Sequence, residues 1–175
     1  MRRLLILVSA LFLAACASSP EPGGRELDGT RLGGEWTDSR MAGYSAHALT
    51  ALGRVHASGR HVPRDRATAE RLFEAAFAKR ASYASEIAWF FEKRFKDRQS
   101  ALRWYEKGAV ADDWFSLFML GFIHAEGLYG IRDPEKAITY YRRAIALGYP
   151  HISTSIAQMY FFGKGVRRDY DEALK

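Results

Sequence analysis

An internal repeat constrains the fold of this 175-residue chain more than any other feature of its sequence. An aspartate stands four residues before an alanine in four places, with spacings of 32, 36 and 36 residues: Asp65, Asp97, Asp133 and Asp169. After each of the first three alanines, two bulky apolar residues follow at the third and fourth positions and a small residue at the seventh. This spacing places them on one face of a helix, and the aspartate stands where its carboxylate can cap the first turn. The sequence therefore predicts a helix after each aspartate.

A second helix is expected before each of these. In three units it carries a small residue that lets the neighbouring helix approach closely, and a glycine turn follows it: Gly53, Gly121 and Ala157, then Gly59, Gly127 and Gly163. The second unit differs, because only four residues separate Glu92 from Asp97 and none of them is glycine. We align its first helix so that Trp89 takes the place of Gly53. Glu92 then aligns with His56, and the shorter connection explains the 32-residue spacing.

Three stretches of the last two units carry the most specific pattern: Leu120-Gly121, Gly163-Lys164-Gly165-Val166, and Lys136-Ala137 with Tyr140-Tyr141, Ala144 and Gly148. They resemble the Sel-one-like repeat, a family of the tetratricopeptide superfamily. The resemblance covers about residues 41–175, some three and a half units, and implies an all-α fold, a right-handed α-solenoid of antiparallel helix pairs. The apolar stripes predict stacked helix pairs independently. No run alternates with a period of two for long enough to indicate a sheet.

The first sixteen residues have the pattern of a secretory signal: Met-Arg-Arg, the apolar run Leu4–Ala15 and then Cys16. This run is too short to span a bilayer, which needs about 20 helical residues. The stretch Leu13-Ala14-Ala15-Cys16 resembles the bacterial lipobox, which implies a signal peptide of residues 1–15 and acyl chains, palmitate among them, on Cys16. The alternative is an ordinary cleaved signal with a chance cysteine. Because Ala17 and not an aspartate follows, the resemblance implies an outer-membrane lipoprotein that faces the periplasm.

Residues 16–40 are rich in serine, proline and glycine and are expected to form a lipidated N-terminus and a flexible tether. Trp36, the only tryptophan of this segment, is expected to dock either on the folded domain or at the lipid interface. The repeats are then predicted to occupy residues 41–175.

Composition and motifs argue against most catalytic and metal-binding classes. A single cysteine excludes an intramolecular disulfide and any multi-cysteine metal site, and a formal net charge of +6 is mild for a nucleic-acid binder. His56 and His124 share the repeat position of Tyr160, which indicates packed rings and not metal ligands. No phosphate loop, dinucleotide fingerprint or nucleophile motif is present in the sequence. We therefore expect no enzyme activity, no metal, no cofactor and no nucleic-acid partner.

Binding residues are sought where equivalent positions change chemistry from one unit to the next. The position after the small residue holds Arg54, Phe90, Phe122 and Gln158. Near the start of unit three, Trp114 stands beside further aromatic residues, which form either a ligand-facing ridge or core between units. The predicted partner-binding residues are therefore Arg54, Phe90, Trp114, Phe122 and Gln158. Four basic pairs are either solvated helix ends or contacts to anionic lipid, glycan or protein: Lys79-Arg80, Lys93-Arg94, Arg142-Arg143 and Arg167-Arg168.

These observations predict a lipid-anchored, non-catalytic periplasmic scaffold or adaptor that holds a protein or peptide partner in cell-envelope assembly or export. The envelope role is what the resemblance implies, since related lipoproteins with this repeat serve assemblies such as polysaccharide export. The alternatives are a regulator of a cell-wall or polysaccharide enzyme and a direct binder of envelope glycan through the basic surface.

The last unit is incomplete, because the helix expected after Asp169 has fewer than two turns before Lys175. Stacked repeats need a polar cap at their ends, but Tyr170, Ala173 and Leu174 offer an apolar end. Three explanations stay open: the segment frays, a partner or second copy covers it, or the gene is shortened.

Overall fold

The computed structural model describes residues 34–174. Within them the chain forms nine α-helices and no strand: α1 Asp38–Ala42, α2 Ala46–Ser58, α3 Arg66–Lys79, α4 Tyr83–Phe90, α5 Arg98–Val110, α6 Trp114–Glu126, α7 Pro134–Ala146, α8 Ser153–Phe162 and α9 Tyr170–Ala173. A π-helical turn, Phe91–Phe95, follows α4, and two 3-10 turns, Leu128–Gly130 and Pro150–Ile152, follow α6 and α7. No helix of this described part is long and apolar enough to cross a membrane. The predicted signal peptide, Cys16 and most of the predicted tether lie outside the described residues.

The four repeated aspartates cap helices, as predicted. The carboxylates of Asp65, Asp97 and Asp133 each accept a hydrogen bond of 3.0 Å from the backbone N–H three residues on, at the start of α3, α5 and α7. Asp169 accepts from two backbone N–H groups at the start of α9. The hydroxyl and backbone N–H of Thr68 hold the pKa of Asp65 below its usual value, because both donate to the ionised carboxylate.

The helices pack as consecutive pairs, α2 with α3, α4 with α5 and α6 with α7, and the pairs stack on one another. Glycine makes the closest approaches possible: a Cβ on Gly53 would lie 2.5 Å from the Phe73 ring, and one on Gly121 would lie 2.5 Å from the Tyr141 ring. One hydrophobic core runs from α2 to α8, and a second one closes the N-terminal end around α1, α2 and α3. The fold is therefore the predicted all-α solenoid of helix pairs.

A shared connection joins the two helices in units one, three and four. Gly59, Gly127 and Gly163 each end the first helix in the left-handed backbone region, with φ of 71°, 67° and 66°. Beyond the turn, the N–H of each capping aspartate donates to a carbonyl nine residues earlier: Asp65 to His56 (3.0 Å), Asp133 to His124 (3.1 Å) and Asp169 to Tyr160 (3.1 Å). The predicted glycine turns are thus confirmed, and units one, three and four close with the same hydrogen bond.

Unit two replaces this connection with the π-helical turn. The N–H of Asp97 donates to the carbonyl of Phe91 at 3.1 Å, so Phe91 and not Glu92 occupies the place of His56. Lys96 ends the turn in the left-handed region, with φ of 57°, where the other units have glycine. The shortened connection is therefore closed by backbone hydrogen bonds within the helix end instead of by a loop.

The π-helical turn also corrects the alignment of unit two by one residue. Counting back from Phe91, Ala88 and not Trp89 takes the place of Gly53. Ala88 is fully buried, whereas Trp89 is 38% exposed. The alignment of Trp89 with Gly53 is therefore wrong, because a π-helical turn inserts one residue and moves the helix register.

The first described residues pack onto unit one. Trp36 is 2% exposed and lies with Met41 and Tyr44 in the N-terminal core. Thr37 caps α1 by accepting a hydrogen bond from the backbone N–H of Arg40. Trp36 is expected to dock either on the folded domain or at the lipid interface, and the structure shows it packed on the folded domain. The packed part of the described chain includes Trp36 and all of α1, which begins before residue 41.

Candidate functional site

One position of the first helices combines exposure with a change of chemistry between units. It follows the small residue of each unit and holds Arg54, Trp89, Phe122 and Gln158, which we call the variable row. Trp89 and Gln158 are exposed, and Arg54 and Phe122 are half-buried. Residues three positions earlier share this helix face: Ala51, Glu86, Met119 and Ser155. The variable row thus follows one side of the stack from α2 to α8.

The first residue of the variable row is held by two groups of unit two. The guanidinium of Arg54 forms an ion pair with Glu86 and lies 5.7 Å from the centre of the Phe90 ring. Because the opposite charges of Arg54 and Glu86 are adjacent, this end of the row presents little net charge to a partner.

The centre of the variable row is apolar. Trp89 on α4 and Phe122 on α6 hold the row position, and Met119 lies one turn before Phe122. Met119 and Phe122 are half-buried. Aromatic and methionine side chains are enriched in protein interfaces, and methionine adapts its shape to what it contacts. The centre of the row therefore has the composition of a protein-binding surface.

The charged side chains beside this centre are also paired within the chain. Lys93 pairs with Glu92 at 3.0 Å, and Lys164 pairs with Glu126 at 3.2 Å. Lys93 and Glu126 each stand one turn after a residue of the variable row. The row is an apolar surface bordered by ion pairs, which favours recognition by apolar contact over recognition by charge.

Phe90 and Trp114, which the sequence predicts as binding residues, are engaged in packing. The ring centre of Phe90 lies 6.0 Å from that of Phe73 and 5.3 Å from that of Phe95. Trp114 stacks on Tyr149 with 4.3 Å between ring centres. The aromatic residues around Trp114 are interpreted either as a ligand-facing ridge or as core between units, and these ring contacts favour core between units.

Trp89 is the row residue that sequence reasoning misses. Trp89 is exposed because the π-helical turn shifts the helix register by one residue. No residue pattern in a single sequence marks such a turn. The indirect signal is the short connection between Glu92 and Asp97, which shows that unit two cannot share the geometry of the others. Phe90 is predicted in its place only because the shift is absent from the alignment.

Gln158 lies beside a groove at the C-terminal end of the described part. The groove has a volume of about 260 Å³ and is lined in part by Ala157, Phe161 and Leu174. The side chain of Leu174 is 88% exposed. Apolar side chains of α8 and α9 are therefore exposed at this groove.

His56 and His124 are packed rings, as predicted. His56 accepts a hydrogen bond of 3.0 Å from the indole N–H of Trp36, and the ring centre of His124 lies 5.7 Å from that of Tyr140. Burial lowers the pKa of His124 below its ordinary value, because the charged imidazolium is desolvated. Among residues 34–174, no cluster of three or more histidine, cysteine, aspartate or glutamate side chains could hold a metal ion.

Residues of the basic pairs bind their own chain. Lys79 donates to the carbonyl of Ala42 at 3.0 Å, at the end of α1. Arg143 pairs with Asp112 at 2.7 Å and donates to the carbonyl of Ala109 at 2.8 Å, in the last turn of α5. Both carbonyls lie at helix C-termini, where a positive charge is stabilising. These contacts support the helix-end interpretation for Lys79, which joins α1 to unit one, and for Arg143, which joins units two and three.

Comparison with known proteins gives one family match. The family model described as Sel1 repeat matches residues 46–79, 89–113, 114–149 and 155–175. No curated protein matches the chain.

The solved structures that are similar to the chain include two Sel1-type repeat proteins. The crystal structure of a Sel1 repeat protein from Oxalobacter formigenes shares 23% sequence identity and a TM-score of 0.56, over 74% of this chain and 55% of that chain. The crystal structure of c5321, a protective antigen present in uropathogenic Escherichia coli strains displaying an SLR fold, shares 23% identity and a TM-score of 0.57. That match covers 85% of this chain and 32% of the antigen. At this identity the likeness concerns the fold alone, and the chain spans only about half and a third of the two proteins' lengths.

Proposed function

The chain belongs to the Sel1 repeat family, and from this premise we propose that it is a lipid-anchored scaffold or adaptor that holds a protein or peptide partner in the bacterial cell envelope. Sel1 repeat proteins generally mediate protein–protein interactions. The proposal adds that the protein acts without catalysis of its own and serves envelope assembly or export.

The variable row is the observation that carries this proposal. Its apolar centre contains Trp89, Met119 and Phe122, and the neighbouring cations Arg54 and Lys93 are already paired with carboxylates of the chain. An apolar partner surface gains contact area there without competing for those ions, whereas an acidic ligand would have to displace their partners. We therefore expect a partner that binds through apolar side chains, with little dependence on salt.

Site-specific cross-linking in living cells tests the position of the partner. A photoreactive amino acid replaces Phe122 in the full chain, and the matched control carries it at Thr139, an exposed residue of the second helix α7. We expect a discrete envelope protein to cross-link at position 122 and not at position 139. The same products from both positions, or none from position 122, would remove the variable row from the proposal.

The lipid anchor is supported by the lipobox-like stretch that ends at Cys16. In the wild type, mass spectrometry of the N-terminal peptide is expected to find an acylated Cys16. The Cys16→Ala variant is expected to leave the membrane fraction, because a single set of acyl chains supplies the attachment. A variant that stays with the membranes would defeat this part of the proposal. Separation of inner and outer membranes tests the outer-membrane placement inferred from Ala17.

A second candidate is direct binding of envelope glycan, or regulation of a cell-wall or polysaccharide enzyme. Exposed Arg142 and Arg167 favour the glycan version. Arg143 is unsuitable as a probe, since its loss would also disturb the contact with Asp112 and Ala109. Binding to a purified acidic glycan that disappears in Arg142→Ala/Arg167→Ala and at high salt would support this candidate. No binding, or binding that neither the double substitution nor high salt changes, would exclude direct glycan binding.

A further inference from the structure

The segments that join the two helices of each unit follow one another along one edge of the stack. We call them together the connection edge: residues 59–65, 91–97, 127–133 and 163–169. Successive segments contact each other. The guanidinium of Arg64 lies 5.2 Å from the ring centre of Phe95, and that of Arg98, beside the second segment, lies 5.7 Å from the ring centre of Tyr129. A Cβ on Gly165 would clash with the first residue of α7. The connection edge is therefore one continuous surface.

Positive charge is concentrated on the connection edge. Its four segments hold nine lysine and arginine residues and five aspartate and glutamate residues, a net charge of +4. The segments that join one unit to the next lie on the opposite edge of the stack: residues 80–82, 111–113 and 147–152. They hold one arginine and two aspartates, a net charge of −1. The described solenoid therefore has one basic edge, whose field attracts anions.

Most cations of the connection edge are available to an external anion. Lys93 and Lys164 pair with Glu92 and Glu126. The other seven are exposed, and none of them pairs with a carboxylate among residues 34–174: Arg60, Arg64, Arg94, Lys96, Arg132, Arg167 and Arg168. Four of the five carboxylates are the capping aspartates, which accept hydrogen bonds from backbone N–H groups at the helix starts. An anion can therefore approach the seven cations without displacing an ion pair of the chain.

Exposed apolar side chains lie on the same edge. Leu128, in the third segment, is 37% exposed, and Phe162, which directly precedes the fourth segment, is 63% exposed. A bilayer interface accommodates both kinds of group, because cations contact the phosphates of the head groups while apolar side chains enter the layer beneath them. An acidic polysaccharide or protein would match the cations but gain little from an isolated leucine. The cations are also spread over four segments, which suits an extended anionic surface.

We propose that the connection edge docks on the surface of an anionic phospholipid bilayer. The lipid phosphates contact the seven unpaired cations, and Leu128 and Phe162 enter the interface. The opposite edge then faces away from the membrane. Each cation that comes close to an anionic surface adds to the binding, and salt screens the attraction. This docking needs neither the variable row nor an acyl chain, although the proposed lipid anchor would raise the local concentration of the edge at the bilayer.

Co-sedimentation with vesicles tests the role of charge. The purified lipid-free protein is mixed with vesicles of phosphatidylglycerol and phosphatidylcholine in equal amounts, or of phosphatidylcholine alone. We expect binding to the mixed vesicles to be about tenfold or more tighter and to weaken as salt is added. Arg94→Gln/Arg167→Gln is expected to weaken it by about tenfold or more. The matched control Arg71→Gln/Arg142→Gln removes the same charge from exposed positions of α3 and α7 and is expected to stay within about threefold of the wild type.

Two labelled proteins test which edge faces the membrane. In the Cys16→Ala chain, an environment-sensitive fluorophore is attached to Leu128→Cys on the connection edge or to Leu147→Cys on the opposite edge. The two leucines are similarly exposed, at 37% and 41%. On the mixed vesicles we expect the emission to shift to the blue at position 128 and to stay unchanged at position 147. Equal shifts at both positions, or a shift at position 147 alone, would overturn the proposal.

Three outcomes of the co-sedimentation would also overturn it: no binding to the mixed vesicles, equal binding to both kinds of vesicle, or equal losses in the two double variants. Inorganic phosphate and polygalacturonate are added as competitors. Displacement by either one at a charge concentration below that of the lipid would identify a soluble anion or an acidic glycan as the ligand instead. None of these measurements involves the variable row or acylation of Cys16, so their failure is distinct from a failure of the proposed function.

Discussion

At the scale of single residues, the stack depends on places where an aromatic ring lies against the backbone of the neighbouring helix. The rings of Phe73 and Tyr141 occupy the space that a side chain on Gly53 or Gly121 would need. Both rings are buried, and the atoms nearest to a Cβ added on either glycine are atoms of these rings. These two glycines therefore set how closely the helices of units one and three approach.

The change Gly121→Ala tests this close approach. The added Cβ would lie 2.5 Å from the Tyr141 ring, so we expect a loss of about 1–3 kcal/mol in the free energy of unfolding, as for other overpacked cores. Gly43→Ala is the matched control, because its Cβ would meet only the carbonyl oxygen of Arg40, at 3.8 Å. That variant is expected to be neutral or to gain up to about 1 kcal/mol. Urea unfolding measures the free energy of unfolding of both variants, and equal values for the two would contradict the packing argument.

Burial of His124 predicts a pH dependence with a definite sign. The pKa of His124 is lowered in the folded state, so the unfolded chain binds more protons below its ordinary value of about 6.5. The free energy of unfolding should therefore decrease as the pH falls through this range. His124→Gln removes the titrating group and is expected to show a shallower decrease between about pH 7.5 and about pH 5.5. Thr139→Ala, which changes an exposed residue without a titratable group, should keep the wild-type slope, and an equal or steeper slope in His124→Gln would refute the assignment.

At the scale of helices, the sequence predicts starts and ends well wherever one residue type decides them. Asp65, Asp133 and Asp169 begin helices because a carboxylate is needed at the cap, and Gly59 and Gly127 end them because the left-handed backbone favours glycine. These requirements are local, so the residue itself shows them.

The connection in unit two and the start of the packed chain could not be predicted in the same way. No single residue type marks the π-helical turn after Phe90, and this turn places Trp89 in the variable row. Trp36 looks like part of a tether because its neighbours are polar, but its burial depends on His56, which is 20 residues away in the sequence. Of the predicted binding residues, Arg54, Phe122 and Gln158 lie in the variable row, because that position repeats without a shift.

The left-handed residue at the end of the π-helical turn gives a prediction for unit two. Lys96 has φ of 57°, where the equivalent turns of the other units use glycine. Lys96→Gly is expected to raise the free energy of unfolding by about 0.5–1 kcal/mol, since the strain of the left-handed side chain disappears. Lys93→Gly, inside the turn, should lower it by about 1 kcal/mol. Thermal unfolding distinguishes the two, and a destabilised Lys96→Gly variant would show that the turn is not strained.

At the scale of the whole molecule, the described solenoid has two unlike ends and a continuous side between them. Trp36 and α1 cover the first end, whereas the groove beside α8 leaves apolar side chains exposed at the other. Ion pairs between units, such as those of Arg54 with Glu86 and Lys164 with Glu126, run along the stack and fix the helices that carry the variable row. The arrangement presents a rigid surface of changing chemistry, which suits the proposed scaffold.

The most direct test of the proposed function is the affinity of the purified lipid-free protein for the partner that cross-links at position 122. Calorimetric titration compares the wild type with Trp89→Ala/Phe122→Ala and with the second-helix control Glu106→Ala/Thr139→Ala, after circular dichroism has shown equal helix content. We predict a loss of about tenfold or more in the first double variant and no change in the control. The wild-type affinity is expected to change by less than about threefold between low and moderate salt. Equal affinities of the wild type and the Trp89→Ala/Phe122→Ala variant would contradict the central claim that the variable row holds the partner.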